Sequence, residues 1–465
     1  MNKSNDQRRK FLKKSALAGL FLGMSGIVKG KDPSDTYLQD LQVKFTANKS
    51  VIGLKIAPIK QVKVGIIGVG MRGSGLMGQV NALCNIGKAK ITAICDIREQ
   101  QVTKALEYLK KNGKQKPATY HGKEDAWKEL ARRDDIDLII IATPWEYHVP
   151  MSLYAMDQGK HVGVEVPAAL TVEDCWKLVD KAEEKQLNCI MLENVCYGNE
   201  ELWVLNMVQN EVFGTLTYAE AAYIHDLRGY FFKHYYNDWR VRQHIKNDGN
   251  LYPTHGLGPV AQYLGVNRGD HFQHMVSMSS CEAGLTELAS TLDKDHEFHN
   301  HKDYAHGDMN NSLIKTGKGR TILLQHDVIT PRPYNRINAL AGTRAYHEGY
   351  PSRLSLLGKG HGFLSKEEYG EYRKKFTHPL WTKLADEAKK HGGHGGMDFI
   401  MIYRLIDCFN NGWPLDMDVY DAAAWSAVTP LSKLSIELGN VPVKFPDFTR
   451  GRWKEARKLG VEAYL

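Results

Sequence analysis

For a chain of 465 residues the sequence is poor in cysteine, with seven in all and no CxxC pair. Cys84, Cys95, Cys175, Cys189, Cys196, Cys281 and Cys408 are scattered, mostly through apolar runs. That pattern argues against a disulfide-stapled fold and predicts buried thiols. Internal repeats and low-complexity blocks are also absent. Charge of one sign is scarce once the N-terminus is set aside: residues 1–30 hold seven Lys or Arg and one Asp, which account for six of the net +8 and leave +2. The basic balance therefore gives no argument for a nucleic-acid partner. What remains, 43% apolar and 25% charged residues, suits a soluble protein long enough for two domains with their own cores.

The first thirty residues form a leader. Arg8 and Arg9 precede Lys10, Phe11, Leu12 and Lys13, and a glycine-broken apolar segment covers residues 16–28. It falls short of the roughly 20 apolar residues that anchor a chain in a bilayer. Paired arginines, Phe-Leu-Lys and a weak apolar stretch match the twin-arginine export pattern, which serves chains that have already folded. A cytosolic protein with a basic amphipathic start is the alternative. No cysteine stands at a lipid-anchor position, so the expectation is a soluble exported form, periplasmic or secreted, with the twin-arginine machinery as partner. Buried thiols fit folding in a reducing cytoplasm before export.

Residues 31–60 read as a linker or arm, and organised sequence begins at Gln61. The runs VKVGIIGVG, KAKITAICDI, DIDLIIIATP, KHVGVEVP and NCIMLENV read as buried strands, with amphipathic helices over 98–112, 122–133, 149–158 and 171–185 between them. Continuous apolar strands alternating with helices predict a doubly wound parallel sheet over 61–195. From 196 to 465 the pattern changes to strands with one wet face, LTYAEAAYIHD, HMVSMSS, NNSLIKT and RTILLQHDV, then a late helix MDFIMIYRLIDCFNNG ending at Gly412. The predicted class is α/β: an N-terminal Rossmann domain followed by an α+β domain with a mostly antiparallel open sheet. A homo-oligomer is compatible with this reading.

Gly68, Gly70 and Gly73 form GxGxxG directly after the first strand, and Asp96 ends the second. The first two glycines allow a tight turn and close approach to a pyrophosphate, the third lets helix and strand pack, and Asp96 can hold both ribose hydroxyls while repelling a 2′-phosphate. NAD is therefore expected over NADP. Two other stretches look like sites and are read as loops. HEFHNHKDYAHGD, with His296, His299, His301 and His306, fits no standard zinc spacing, and HGGHGGMD lacks the Lys-Ser/Thr ending of a phosphate loop, though His394 in it can border a pocket. No metal is expected.

The stretch IATPWEYHVPMSLYAMDQGKHVGVEVPAALT is similar to the sugar and inositol oxidoreductase family that includes glucose-fructose oxidoreductase. That family usually has Glu-Lys-Pro, with the lysine in the proton relay; here the tripeptide is Glu165-Val166-Pro167. Valine cannot carry a proton, which argues against routine alcohol oxidation. From Gln61 onward the chain contains the runs GVGMRGSG, TPWEYHVPM, VEVPAA, MLENVCYG, YIHDLRGYFF, NLYPTHGLGPVAQYLGVNRGD, PRPYNRI, GGHGGMDFIM, VYDAAAWSA and FPDFTRGRW. In these runs it resembles glycoside hydrolase family 109, the NAD-dependent α-N-acetylgalactosaminidases.

The resemblance implies that Met71, Arg72, Asp96, Trp145 to His148, Glu165, Val166, Asn194 and Tyr252 line the NAD site. It also implies that Tyr223, Arg240, Tyr252, Pro253, Thr254, His255 and Tyr334 line a sugar pocket, with Arg242 the alternative to Arg240. The implied chemistry is transient oxidation at C3, loss of the C2 proton, elimination at C1, addition of water and re-reduction, so that a tightly bound NAD is recycled at each turnover. His255, Tyr252, Tyr197 and Glu165 are the candidates for proton work. His255 would serve the C3 hydroxyl, Tyr197 the C2 proton or the leaving oxygen, and Glu165 would hold geometry near the nicotinamide. The substrate implied is a glycan or glycoconjugate with terminal N-acetylgalactosamine. An exported sugar oxidoreductase with retained cofactor and a non-catalytic sugar-binding protein stand as rival readings.

Overall fold

The computed structural model describes residues 49–113 and 115–463. The leader at 1–30 and residues 31–48 of the expected linker lie outside them. A six-stranded sheet comprises β1 (Val62–Ile67), β2 (Ala89–Cys95), β3 (Ala118–Tyr120), β4 (Leu138–Ile141), β5 (His161–Val164) and β6 (Cys189–Met191). Its order is β3-β2-β1-β4-β5-β6 with every pair parallel, the doubly wound Rossmann arrangement. All four residues of β4 are buried, as a strand covered on both faces by helices requires. The expected helices form over Glu99–Asn112, Ala126–Ala131, His148–Asp157 and Val172–Lys185. β3, only three residues long, gives no periodic signal and was not anticipated.

The second sheet has eight strands: β7 (Leu216–Ile224), β8 (Phe272–Ser279), β9 (Met309–Thr316), β10 (Thr321–Asp327), β11 (Ala339–Gly342), β12 (Ala345–Glu348), β13 (Arg353–Leu356) and β14 (Val443–Lys444). Their order is β13-β12-β11-β7-β10-β9-β8-β14, antiparallel except for β7 beside β10. β9 shows the wet face: Asn310, Ser312, Ile314 and Thr316 are buried while Asn311 and Leu313 are exposed. The helix Thr254–Tyr263 lies on the other face, so close that a side chain at Gly256 would meet the Ala222 backbone nitrogen at 2.5 Å.

The two sheets are tied together by C-terminal helices that return to the Rossmann half. The late helix Met397–Asn411 ends at Gly412 with φ 69°, as read from sequence, and its Asp407 pairs with Lys88 at 2.7 Å. Val419–Ser426 starts with a capping box between Asp418 and Asp421; its Ser426 hydroxyl accepts from the Ala168 amide, and its Tyr420 hydroxyl donates to Glu183. Residues 49–60, read as linker, are part of this packing: the Val51 amide donates to the Tyr420 hydroxyl and the Ile59 amide to the Phe409 carbonyl. None of the cysteines is in a disulfide; six are buried and Cys281 is exposed.

Candidate active site

A cavity of about 570 Å³ opens where the C-terminal ends of β1, β2 and β4 meet β7 and the Tyr252–His255 turn. Ligands of doubly wound sheets bind at this end of the strands. One end is built from backbone. Gly68 has φ 84°, and a Cβ there would meet the Ala142 carbonyl at 2.6 Å, so only glycine fits the turn. A side chain at Gly73 would collide with the Gly68 carbonyl. The helix Met71–Asn85 starts at Gly70 with no side-chain cap, which leaves its first amides facing the cavity, as an anionic pyrophosphate requires. Asp96 accepts from the Val69 amide at 3.1 Å and from Arg98 Nε at 3.2 Å. These features fit a dinucleotide.

Further along the wall, Arg72 joins two carboxylates, donating from Nε to Glu165 at 2.7 Å and from Nη1 to Asp398 at 2.8 Å. Asn194 Nδ2 donates to the other Asp398 oxygen at 2.6 Å, and the exposed His394 reaches Asp398 through Nδ1 at 2.8 Å. Burial opposes charge on Asp398, but His394 and Arg72 outweigh it and hold the carboxyl well below the usual range. His148 is buried with its two ring nitrogens against the Pro167 and Thr143 carbonyls, so it secures two turns of the wall, and burial pushes its pKa down.

The other end is made of side chains. Tyr252 lies against Tyr223, with ring centroids 4.6 Å apart, against His255 at 4.9 Å and against Trp145 at 5.9 Å. The buried Arg240 guanidinium sits 4.8 Å from the Tyr252 ring and 5.1 Å from that of Trp145. Its Nη1 meets the Tyr235 hydroxyl at 3.3 Å, whereas its Nε and Nη2 are buried with no protein partner. Such orphan donors are costly unless a ligand satisfies them. Burial raises the Tyr252 phenol well above its ordinary value, so it is a neutral donor near pH 7. His255 Nδ1 meets Glu193 at 2.7 Å.

Most of the sequence-read residues line this one cavity: Gly68, Gly70, Met71, Arg72, Asp96, Trp145, Tyr147, His148, Glu165, Val166, Asn194, Tyr223, Arg240, Tyr252 and His255. Tyr197 does not. It is buried behind the wall, its hydroxyl donates to Asp416 at 3.1 Å, and its pKa is raised well above the ordinary value by burial and then by Asp416. A phenol so enclosed cannot reach a sugar, which corrects its proposed proton role. Glu146 is exposed outside the wall, and Pro253 and Thr254 are buried under it, where they set the start of the His255 helix. Tyr334 stands at the rim with its ring 5.0 Å from that of His225. Arg242 is half-buried, paired with Glu297 and off the cavity wall, so of the two alternatives it is Arg240 that reaches the cavity.

The loop with four histidines is less solvated than expected. His306 is buried and forms a cluster with His244 and His326, ring centroids 4.3 and 5.1 Å away. Among the described residues no group has a metal-binding arrangement. In HGGHGGMD, residues 392–396 all have positive φ, which turns the chain so that Gly393 and His394 reach the cavity. Arg98, Glu193, His225, Trp239 and Asp398 were missed, although Glu193 stands beside Asn194 as a charge within an apolar run.

The family model for the C-terminal domain of glycosyl hydrolase 109 matches residues 197–455, and that of the oxidoreductase family with NAD-binding Rossmann fold matches 62–193. A glycosyl hydrolase family 109 protein of Shewanella baltica is 46% identical over 98% of this chain and 99% of its own. A protein of Shewanella oneidensis named alpha-N-acetylgalactosaminidase shows the same identity and coverage. Among solved structures, a levoglucosan dehydrogenase in complex with NADH is similar at TM-score 0.63 and 16% identity, covering 83% of this chain and 100% of that one. An inositol dehydrogenase homologue of Azotobacter vinelandii gives TM-score 0.62 at 14% identity, covering 85% of this chain and 99% of its own. Their likeness is one of fold. An NAD-binding Rossmann domain joined to this C-terminal domain makes the chain a glycoside hydrolase, and it belongs to glycosyl hydrolase family 109.

Proposed function

We propose that the protein removes terminal α-linked N-acetylgalactosamine from glycans or glycoconjugates, with an NAD that stays bound and is recycled. The observation that carries this reading is the single cavity joining the glycine turn to the Tyr223, Arg240, Tyr252 and His255 cluster, with its nearby carboxylates already engaged. Among the described residues, Glu165 and Asp398 both serve Arg72, so these two do not stand free as the pair of carboxylates that ordinary glycosidases use. The name of the Shewanella oneidensis relative points to the sugar.

Gly68, Gly70, Arg72, Asp96 and the first amides of Met71–Asn85 would hold the nucleotide. Bound there, NAD would supply reversible oxidation at C3, which makes the C2 proton acidic; Glu165, the cavity-lining carboxylate among the candidates, would take that proton as the C1 substituent leaves, and would return it when water has added. Val166 is apolar and buried, so it moves no proton, and His255 with Tyr252 beside it is left to take the C3 hydroxyl proton. Arg240 anchors the sugar with its two unpartnered donors. With Tyr197 out of reach, we assign protonation of the leaving oxygen to His394, which is exposed on its glycine loop at the cavity. A recycled cofactor also explains an export leader on a nucleotide-dependent enzyme: we propose that the chain folds around NAD and leaves by the twin-arginine route with NAD inside.

Purified protein given 4-nitrophenyl α-N-acetylgalactosaminide and no added cofactor should release nitrophenol without accumulating NADH absorbance. Net NADH with a ketone product would support the sugar oxidoreductase instead, and no turnover by NAD-loaded protein would support a binding protein.

A further inference from the structure

Glu193 is a fully buried carboxylate one residue before the turn Asn194–Tyr197 and is not part of the cavity wall. It cannot touch a sugar. One of its oxygens accepts from the Val195 amide at 3.1 Å and lies 2.7 Å from His255 Nδ1; the other has no protein partner. An ionised carboxylate only accepts, so the proton of this short contact belongs to Nδ1. With Nδ1 engaged by Glu193, Nε2 is the ring nitrogen left for a ligand, and the ring is held edge-on between Tyr252 at 4.9 Å and Tyr223 at 5.4 Å, both of which line the cavity.

We propose that Glu193 is the positioning residue that fixes His255 as a base, with Nε2 unprotonated toward the C3 hydroxyl, and that stabilises the imidazolium formed when Nε2 takes that proton. This rests on the role given to His255 under the function proposed above. Burial works against charge on Glu193, but the attraction of His255 and its hydrogen bonds outweigh it and keep the carboxyl below its ordinary value. The proton balance is simple: O3–H loses its proton to Nε2, Nδ1–H stays shared with Glu193, and reversal at the end of the cycle returns the proton to O3. A purely structural role, capping the turn through Val195, is the competing account.

Glu193→Gln separates them, measured on the full holoenzyme with 4-nitrophenyl α-N-acetylgalactosaminide. The amide preserves shape but can donate to Nδ1 and remove its proton, so kcat should fall about 10²-fold with KM within about threefold. The effect of deuterium at C3 on kcat should increase, and the acidic limb of the kcat/KM profile should move to lower pH. In a His255→Ala background the same substitution should cost less than about threefold, because a residue acting only through His255 has nothing left to act on. Should Glu193→Gln not fold, Glu193→Asp, one methylene shorter, carries the same isotope-effect and profile tests with a smaller loss. An unchanged isotope effect and profile, or losses that multiply with His255→Ala, would overturn the positioning role. Failure of the function itself shows elsewhere, as wild-type enzyme that releases no nitrophenol.

Discussion

The two ends of the cavity are made in different ways. The nucleotide end is a backbone object: one strand, one glycine turn and one helix start, contiguous in sequence, with Asp96 and Arg98 added from the next strand end. The sugar end is a side-chain object, assembled from Trp145, Tyr223, Arg240 and the Tyr252–His255 turn, four stretches distant in sequence, and backed by buried Glu193. A shape common to many dinucleotide enzymes is thus combined with a specific face that can change residue by residue, as Val166 in place of lysine illustrates.

The comparison breaks most visibly at His255. His255→Ala should lower kcat by about 10³-fold with NAD content unchanged, since general base catalysis supplies roughly 10²–10⁴; loss of NAD in this variant would show that the ends are not separable. The converse change is Gly68→Ala, which places a Cβ against the Ala142 carbonyl at a positive φ. It should yield protein with less than about half the wild-type NAD, by absorbance of the heat-released nucleotide, because such strain costs about 1–3 kcal/mol.

How far each end is legible in sequence follows from the same contrast. The glycine turn, Asp96 and five of the six parallel strands are visible because their determinants are local and periodic. β11, β12 and β13 are four residues each, too short for alternation to register. The helix 419–426 is visible only in retrospect, through the Asp418–Asp421 capping box, and 428–437, which starts with no side-chain cap, carries no such signal. At the sugar end the residue types are legible but their directions are not: Tyr197 and Tyr252 look alike in sequence, and only packing turns one toward Asp416 and the other toward the cavity.

Smaller effects sharpen the distinction. Arg240→Lys should raise KM by about tenfold or more by losing a planar set of donors, while Arg242→Lys at the exposed Glu297 pair should change it by less than about twofold. Tyr197→Phe removes one buried hydrogen bond and should lower stability by about 1 kcal/mol in denaturant unfolding with kcat nearly unchanged; a large loss of kcat would return Tyr197 to the mechanism.

The mildest test is acid. Burial holds His225 and His306 near the sugar end, and His161 in the Rossmann half, down to about 4. Their folded pKa values lie below the unfolded value near 6.5, so the unfolded chain binds more protons and stability falls as pH drops from about 6.5 to 4. Thermal unfolding at pH 7, 6 and 5 should show a progressive decline, which His306→Gln should make shallower.

The central claim is hydrolysis through loss of the C2 proton beside a transiently oxidised C3. Turnover of the nitrophenyl glycoside in D2O, with the released sugar examined by proton NMR, tests it most directly. The account predicts deuterium at C2 of the free N-acetylgalactosamine; release of sugar that has kept its C2 proton in full would contradict it.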